Sequence, residues 1–131
     1  LPQSTLVVMH SNEPKKTSAM VERVRAQWPN NKSLLNQIGT LTQEIAQYSH
    51  CNPQWLGTKL TENHQLLRAL GVSTPTLDLL VETALKHGAL GAKLAGSGGG
   101  GIAFALVENN NPEPIQSAIE NLGYKCFCLH T

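Results

Sequence analysis

Gly96-Ser97-Gly98-Gly99-Gly100-Gly101 places five glycines within six residues, between two apolar runs. The run before it is Ala89-Leu90-Gly91-Ala92-Lys93-Leu94-Ala95, and the run after it is Ile102-Ala103-Phe104-Ala105-Leu106-Val107. Glycine at this density loses chain entropy on folding and packs no side chain, so its place between two strand-like runs calls for a physical use. That use is bare backbone, whose N–H groups can approach an anionic or planar ligand with no Cβ in the way. An ordinary hairpin connection needs only one or two glycines.

Four familiar loops compete for this pattern. Gly96, Gly98 and Gly101 fit the spacing G-x-G-x-x-G, but a dinucleotide loop opens a helix, and Ile102 to Val107 reads as a buried strand. A Walker-type phosphate loop requires Lys-Ser/Thr after its glycines, and Ile102 stands there instead. A nucleophile elbow around Ser97 would need glycine where Ala95 stands, and a strand-to-helix turn. The protein-kinase glycine loop does join two strands, but neither His-Arg-Asp nor Asp-Phe-Gly follows.

The wider string narrows the choice. Asn63-His64-Gln65-Leu66-Leu67-Arg68-Ala69-Leu70-Gly71-Val72-Ser73-Thr74-Pro75 precedes Gly88-Ala89-Leu90-Gly91-Ala92-Lys93-Leu94-Ala95 and the glycines. Together they resemble the C-terminal half of mevalonate kinases, within the galactokinase, homoserine kinase, mevalonate kinase and phosphomevalonate kinase (GHMP) superfamily. The third motif of that family, Lys-Leu-Thr-Gly-Ala-Gly-Gly-Gly-Gly, is matched here by Lys93 to Gly101, with Ala95 for the Thr and Ser97 for the Ala. Both replacements are small, so a close approach to ligand survives. The resemblance is strong from Asn63 to Val107 and weaker from Leu6 through Thr17.

The resemblance also implies a first half with a Gly-Leu-Gly-Ser-Ser-Ala phosphate loop, a magnesium-binding carboxylate and a catalytic Asp, none of which occurs in these residues. The only Asp is Asp78, four residues after Thr74, where an acid favours the positive end of a helix dipole. The chain is therefore read as one domain over residues 1–131, a C-terminal domain with no catalytic residue of its own. The intact enzyme would transfer the γ-phosphoryl of ATP, with magnesium, to mevalonate; this piece alone is expected to bind neither and to be inactive. Gly96, Ser97, Gly98, Gly99 and Gly100 are the residues expected beside the phosphates and the acceptor alcohol, with Thr17, Asn63 and Lys93 as further candidates. Asn63 interrupts a leucine stripe, where a carboxamide either finds a backbone partner or helps to shape the site. His64 is assigned to a wetter face, as a surface or packing residue. A small-molecule-binding module of the same fold, or a kinase acting on phosphomevalonate, homoserine or a sugar, stays open, as does a homodimer.

Composition bounds the partners. A net charge of +1 leaves no electrostatic footprint for nucleic acid or an acidic membrane. No apolar run is long enough to span a bilayer, no signal peptide is expected, and three cysteines suit a reducing, cytoplasmic setting. The start at Leu1-Pro2 suggests a piece of a longer chain. Cys126-x-Cys128-x-His130 resembles a metal comb, but its outer side chains lie about 13 Å apart along a strand, and zinc ligand atoms lie about 2.0–2.3 Å from the metal. No metal is therefore expected there, and the His50-Cys51 pair reads as structural.

Periodicity supplies the order of elements. Thr5 to Met9 is a strand, and Thr17 or Ser18 caps a helix carrying Met20, Val21, Val24 and Trp28, stopped by Pro29-Asn30-Asn31. Ser33 caps a second helix with Leu34, Leu35, Ile38, Leu41 and Ile45 on one face. Asn52-Pro53 opens a third, with Leu56, Leu60, Asn63, Leu67 and Leu70, closed by Gly71. Ser73-Thr74-Pro75 opens a fourth, with Leu77, Leu80, Val81 and Ala84. Two strands flank the glycines; after a turn at Asn109-Asn110-Asn111-Pro112, a helix (Pro114 to Leu122) and a strand (Tyr124 to Leu129) close the chain. The pattern β-α-α-α-α-β-β-α-β is an α+β, ferredoxin-like split β-α-β sheet with extra helices, expected to carry its helices on one face. The superfamily resemblance implies the same architecture.

Overall fold

The computed structural model describes residues 4–48, 52–108 and 111–130. Leu1-Pro2, the His50-Cys51 pair and Asn109-Asn110 lie outside the described residues. The elements are β1 (Thr5–His10), α1 (Thr17–Gln27), α2 (Lys32–Tyr48), α3 (Pro53–Leu70), α4 (Pro75–Lys86), β2 (Gly91–Leu94), β3 (Ile102–Val107), α5 (Glu113–Asn121) and β4 (Cys126–His130). The expected order is recovered, with small shifts at the ends. Thr17 is the first residue of α1 behind Lys16 at the N-cap, and α2 begins at Lys32, so Ser33 lies inside its first turn.

Local chemistry explains the well-defined ends. Asn52 Oδ1 accepts the Trp55 N–H at 3.1 Å and Thr74 Oγ1 accepts the Leu77 N–H at 3.1 Å, each just before a first-turn proline. Gly71 closes α3 at φ +92°, a left-handed stop that a Cβ would resist.

The four strands form one antiparallel sheet in the order β2-β3-β1-β4. β1 is central, pairing β3 from Thr5↔Val107 to His10↔Ile102 and β4 from Thr5↔His130 to Met9↔Cys126. β2 and β3 form the hairpin that carries the glycine loop, with Gly91 opposite Leu106 and Leu94 opposite Ala103. Alternation sends Val7, Met9, Ala92, Leu94, Ala103, Ala105 and Val107 to one face, beneath Leu77, Leu80, Val81 and Ala84 of α4 and Ile115 and Ile119 of α5. Leu77 and Leu80 are fully buried, each worth roughly 1.5–3 kcal/mol.

The helices do not all share that face. α3 runs along the outer edge of β2, where Thr61 Oγ1 accepts the Ala92 N–H at 3.2 Å and His64 Nδ1 accepts the Leu94 N–H at 3.1 Å. These are donors that β3 does not use, and an edge strand must have such groups paired or covered. Gly57 and Gly91 allow the approach, since a Cβ on either would overlap the other segment's backbone. From the edge, Leu56 and Leu60 reach round to the opposite face and join Leu106, with Leu6, Leu90 and Phe104 packed around them.

α1 is more peripheral than its periodicity implies. Met20 is buried against Leu70 and Val72, but Val21 is 47% and Trp28 54% exposed. A helix that packs through one end buries a narrow part of its stripe.

Candidate functional site

The loop begins where Ala95 N–H closes the hairpin on the Ile102 carbonyl at 3.0 Å. All five glycines then take positive φ: Gly96 +72°, Gly98 +80°, Gly99 +71°, Gly100 +132° and Gly101 +83°. The left-handed region costs other residues about 1–2 kcal/mol each, so conformation alone accounts for much of the composition.

Packing divides the loop in two. Gly98 to Gly101 are buried among other segments of the chain. The Gly99 N–H donates to the Val72 carbonyl at 2.8 Å, and the Gly101 N–H donates to the Glu13 carbonyl at 3.0 Å. The Gly101 carbonyl accepts from Ser11 twice, from its N–H at 3.0 Å and its Oγ at 2.6 Å. Glu13 is fixed in turn, its carboxylate accepting the Thr74 hydroxyl at 2.8 Å. A Cβ at Gly98 would strike the Val72 carbonyl, one at Gly99 the Met20 side chain, and one at Gly100 the Pro14 carbonyl. The stem of Lys15 lies against Gly101.

Gly96 and Ser97 are different. Gly96 is exposed, and a Cβ there would meet nothing within 4 Å. Among the described residues, the N–H groups of Gly96, Ser97, Gly98 and Gly100 have no acceptor. Ser97 Oγ lies 3.0 Å from Thr17 Oγ1 at the start of α1, which brings Thr17 and the loop together. α1 has no side-chain cap and no acid in its first turn, leaving the positive end of its dipole unopposed beside Ser97, with Lys15 and Lys16 exposed just upstream. Behind this end, a groove of about 430 Å³ between α1, α3 and the loop is lined by Met20, Val24, Leu67, Leu70, Gly96 and Ser97. N–H groups without acceptors at the exposed Gly96 and partly exposed Ser97, two hydroxyls and a helix N-terminus suit the oxygens of a phosphate group.

The other candidates make no hydrogen bond to the loop among the described residues. Lys93 lies on β2 opposite Phe104, half-buried, and burial pushes its ammonium pKa down. Asn63 is buried at 5% exposure, and its Oδ1 has no hydrogen-bond partner, so the expected backbone contact is not made through the carbonyl. His64 contradicts the wetter face assigned to it: it is 2% exposed. The cause is the sheet edge, because its Nδ1 accepts the Leu94 N–H and its Nε2 therefore carries the proton, donated to Asp78 Oδ1 at 2.9 Å. Burial pushes the His64 pKa down against the opposing pull of Asp78, so the ring is held neutral.

Asp78 occupies the first turn of α4, as its dipole role requires, and does more. It also accepts from Ser73 Oγ at 2.7 Å and pairs with Arg68 Nε at 3.3 Å, tying α3 to α4. With three partners it is not free to act as a base. Among the described residues no three His, Cys, Asp or Glu side chains converge to hold a metal ion. The donor set does not fit magnesium, since Asp78 and Glu13 are both committed to other contacts. Cys126 and Cys128 are free thiols whose pKa burial pushes up, and His130 Nδ1 is bonded to Thr5 Oγ1 at 3.1 Å.

Residue patterns did not reveal Val72, Glu13 and Lys15 as the loop's supports. A partial signal existed in Ser11-x-Glu13, where the Glu13 N–H donates to Ser11 Oγ at 3.2 Å, a local turn that serine favours. The contacts to Gly98 and Gly99 span distant segments and leave no local trace.

Comparison with known proteins identifies the fold and its family. The family model for the C-terminal domain of GHMP kinases matches residues 49–125. A mevalonate kinase of Thermococcus sibiricus is 35% identical over 128 residues, spanning 90% of this chain and 38% of that protein. Among solved structures, L. major mevalonate kinase in complex with R-mevalonate has a TM-score of 0.79 at 31% identity, over 98% of this chain and 41% of that one. Streptococcus pneumoniae phosphomevalonate kinase in complex with phosphomevalonate and AMPPNP shares the fold, with a TM-score of 0.86 at 18% identity over 98% of this chain and 40% of that one. The chain thus spans about two fifths of the length of the relatives it matches. With the family model covering more than half of its residues, the chain belongs to the C-terminal domain family of the GHMP kinases, on the mevalonate kinase-like side.

Proposed function

We propose that this chain is the C-terminal domain of a cytoplasmic kinase that phosphorylates the primary hydroxyl of mevalonate, its N-terminal half lying outside these residues. One observation carries the reading: the outward half of the loop offers N–H groups without acceptors, while its inward half is clamped by Val72, Glu13 and Ser11. Phosphoryl transfer depends chiefly on positioning and charge stabilisation, and donors held in advance stabilise a transition state without reorganising during the reaction. ATP supplies the phosphoryl group. The N–H groups of Gly96 and Ser97 are the donors that would meet its oxygens, with Thr17 orienting Ser97. Gly98 to Gly100 leave the expected set: Gly98 is buried against the Val72 carbonyl, Val72 takes the Gly99 N–H, and Gly100 is walled in by Pro14 and Glu13. Magnesium falls to the other half.

The test is ADP release by the intact protein with mevalonate, phosphomevalonate, homoserine or galactose as acceptor. Mevalonate is expected to give the highest kcat/KM. The 131-residue chain alone is expected to give no turnover, and mixing it with the separately expressed preceding half should restore activity. Turnover by the isolated chain would falsify this division of labour. Ligand binding without turnover in the intact protein would replace the kinase with a binding module.

A further inference from the structure

Two polar groups, one on α3 and one on β2, lack side-chain partners among the described residues. Asn63 stands in the apolar stripe of α3, 5% exposed, with Oδ1 unpartnered. It falls between Leu60, which packs with Leu106, and Leu67, which packs against Met20, Leu70 and Val72. A carbonyl thus interrupts the apolar seam and forfeits a hydrogen bond, which protein interiors seldom leave without a reason.

Lys93 is the second. It pairs with Phe104 across the hairpin, so both project from the face on which Leu56 and Leu60 of α3 pack. The next residue, Leu94, is bonded to His64, the neighbour of Asn63. Lys93 has no hydrogen bond and no carboxylate partner among the described residues, and burial lowers its pKa. Asp78 is not available to it, being held by His64, Ser73 and Arg68.

A half-buried ammonium without a counter-charge and a buried carbonyl without a donor have complementary needs. One group meets both: an oxyanion for the lysine beside a hydroxyl for the asparagine. We propose that Asn63 and Lys93 form a polar subsite next to the glycine loop that receives an oxyanion with an adjoining hydroxyl, as in a hydroxy acid. This rests on the kinase reading for its substrate but not for its binding chemistry. The oxyanion comes either from the acceptor's carboxylate or from the transferred phosphoryl group, and kinetics separate the two.

In the intact protein, Lys93→Met is expected to lower kcat/KM at least about tenfold, while Lys93→Arg keeps it within about threefold. A rise confined to the acceptor KM assigns the oxyanion to the acceptor; a fall in kcat with both KM values unchanged assigns it to the phosphoryl group. Asn63→Leu closes the seam and should raise Tm while lowering kcat/KM by about tenfold, a pairing that a purely structural asparagine would not give. Full activity in Lys93→Met, or a raised Tm with full activity in Asn63→Leu, overturns the subsite. A readout independent of turnover is NMR of the Lys93 side chain and the Asn63 carboxamide in this chain, titrated with inorganic phosphate or 3-hydroxybutyrate. Saturable shifts that vanish in Lys93→Met support the subsite, and flat titrations with both probes overturn it. Shifts in a protein that phosphorylates no alcohol retain the subsite and remove the kinase reading.

Discussion

Gly96 and the stretch Gly98 to Gly101 share one motif and one left-handed backbone, yet they are glycine for different reasons. Gly96 needs only its φ, because the space around it is open. Gly98 to Gly101 need both their φ and their missing side chains, because Val72, Met20, Pro14 and Lys15 occupy the places where a Cβ would go. The inward glycines behave as core residues, and the outward pair is left uncovered. Only the first third of the loop is left open to a ligand; the remainder is bare backbone for the protein itself.

Substitution at Gly98 tests this contrast most severely. Gly98→Val combines a disfavoured φ with a collision against the Val72 carbonyl, and we expect a loss of about 3 kcal/mol or more, read from denaturant midpoints of the chain. A near-native midpoint would show that Val72 and the loop part easily, removing the distinction between the halves. Gly96→Ala should be much milder for the fold, about 1–2 kcal/mol from its φ alone. In the intact protein, on the proposed kinase reading, it should lower turnover by about tenfold, equivalent to about 1.4 kcal/mol of transition-state stabilisation. An equal loss of stability at Gly96 and Gly98 would contradict the division.

The contact between α3 and the end of β2 is expected to depend on pH through His64. Its folded pKa lies below the ordinary value because burial favours the neutral ring, so the stability it contributes is fully present above about pH 6.5. That contribution is lost as pH falls from there towards the folded pKa, when the proton must go onto the nitrogen that accepts the Leu94 N–H. Urea midpoints measured between pH 5 and 8 should fall on the acid side, and His64→Gln should flatten the slope; a midpoint rising towards pH 5 would rule this out. The smallest effect belongs to Ser97→Ala. Its hydroxyl contact with Thr17 is exposed, so we expect a change of about 0.5 kcal/mol in stability and at most about twofold in turnover. A tenfold loss would mean that the outward half works through its hydroxyl.

Much of the scaffold could be read directly from residue patterns. Asn52-Pro53, Thr74-Pro75 and Gly71 mark helix ends because caps and left-handed stops act within one turn of the chain. The split β-α-β order followed from counting elements, and Lys93 to Gly101 carried the family resemblance. What escaped depends on partners far apart in sequence. Nothing local to Val72 says that its carbonyl will meet Gly99, or that Thr74 will hold Glu13. His64 was assigned to a wetter face because its helical position says nothing of a strand edge requiring an acceptor. Trp28 and Val21 err the other way, since periodicity reports an apolar face but not whether a neighbour arrives to cover it.

The pairing of Thr61 and His64 with Ala92 and Leu94 also gives the sheet a direction of growth. With those two donors taken by helix side chains and the backbones in contact at Gly57 and Gly91, no further strand can zip onto β2. The opposite margin, β4, has no such guard among the described residues and shows Phe127 and Leu129 each half-exposed. Any polymerisation of partly unfolded chains through this sheet would therefore be one-ended. A charged residue or a proline set into β4 is the change that would suppress it.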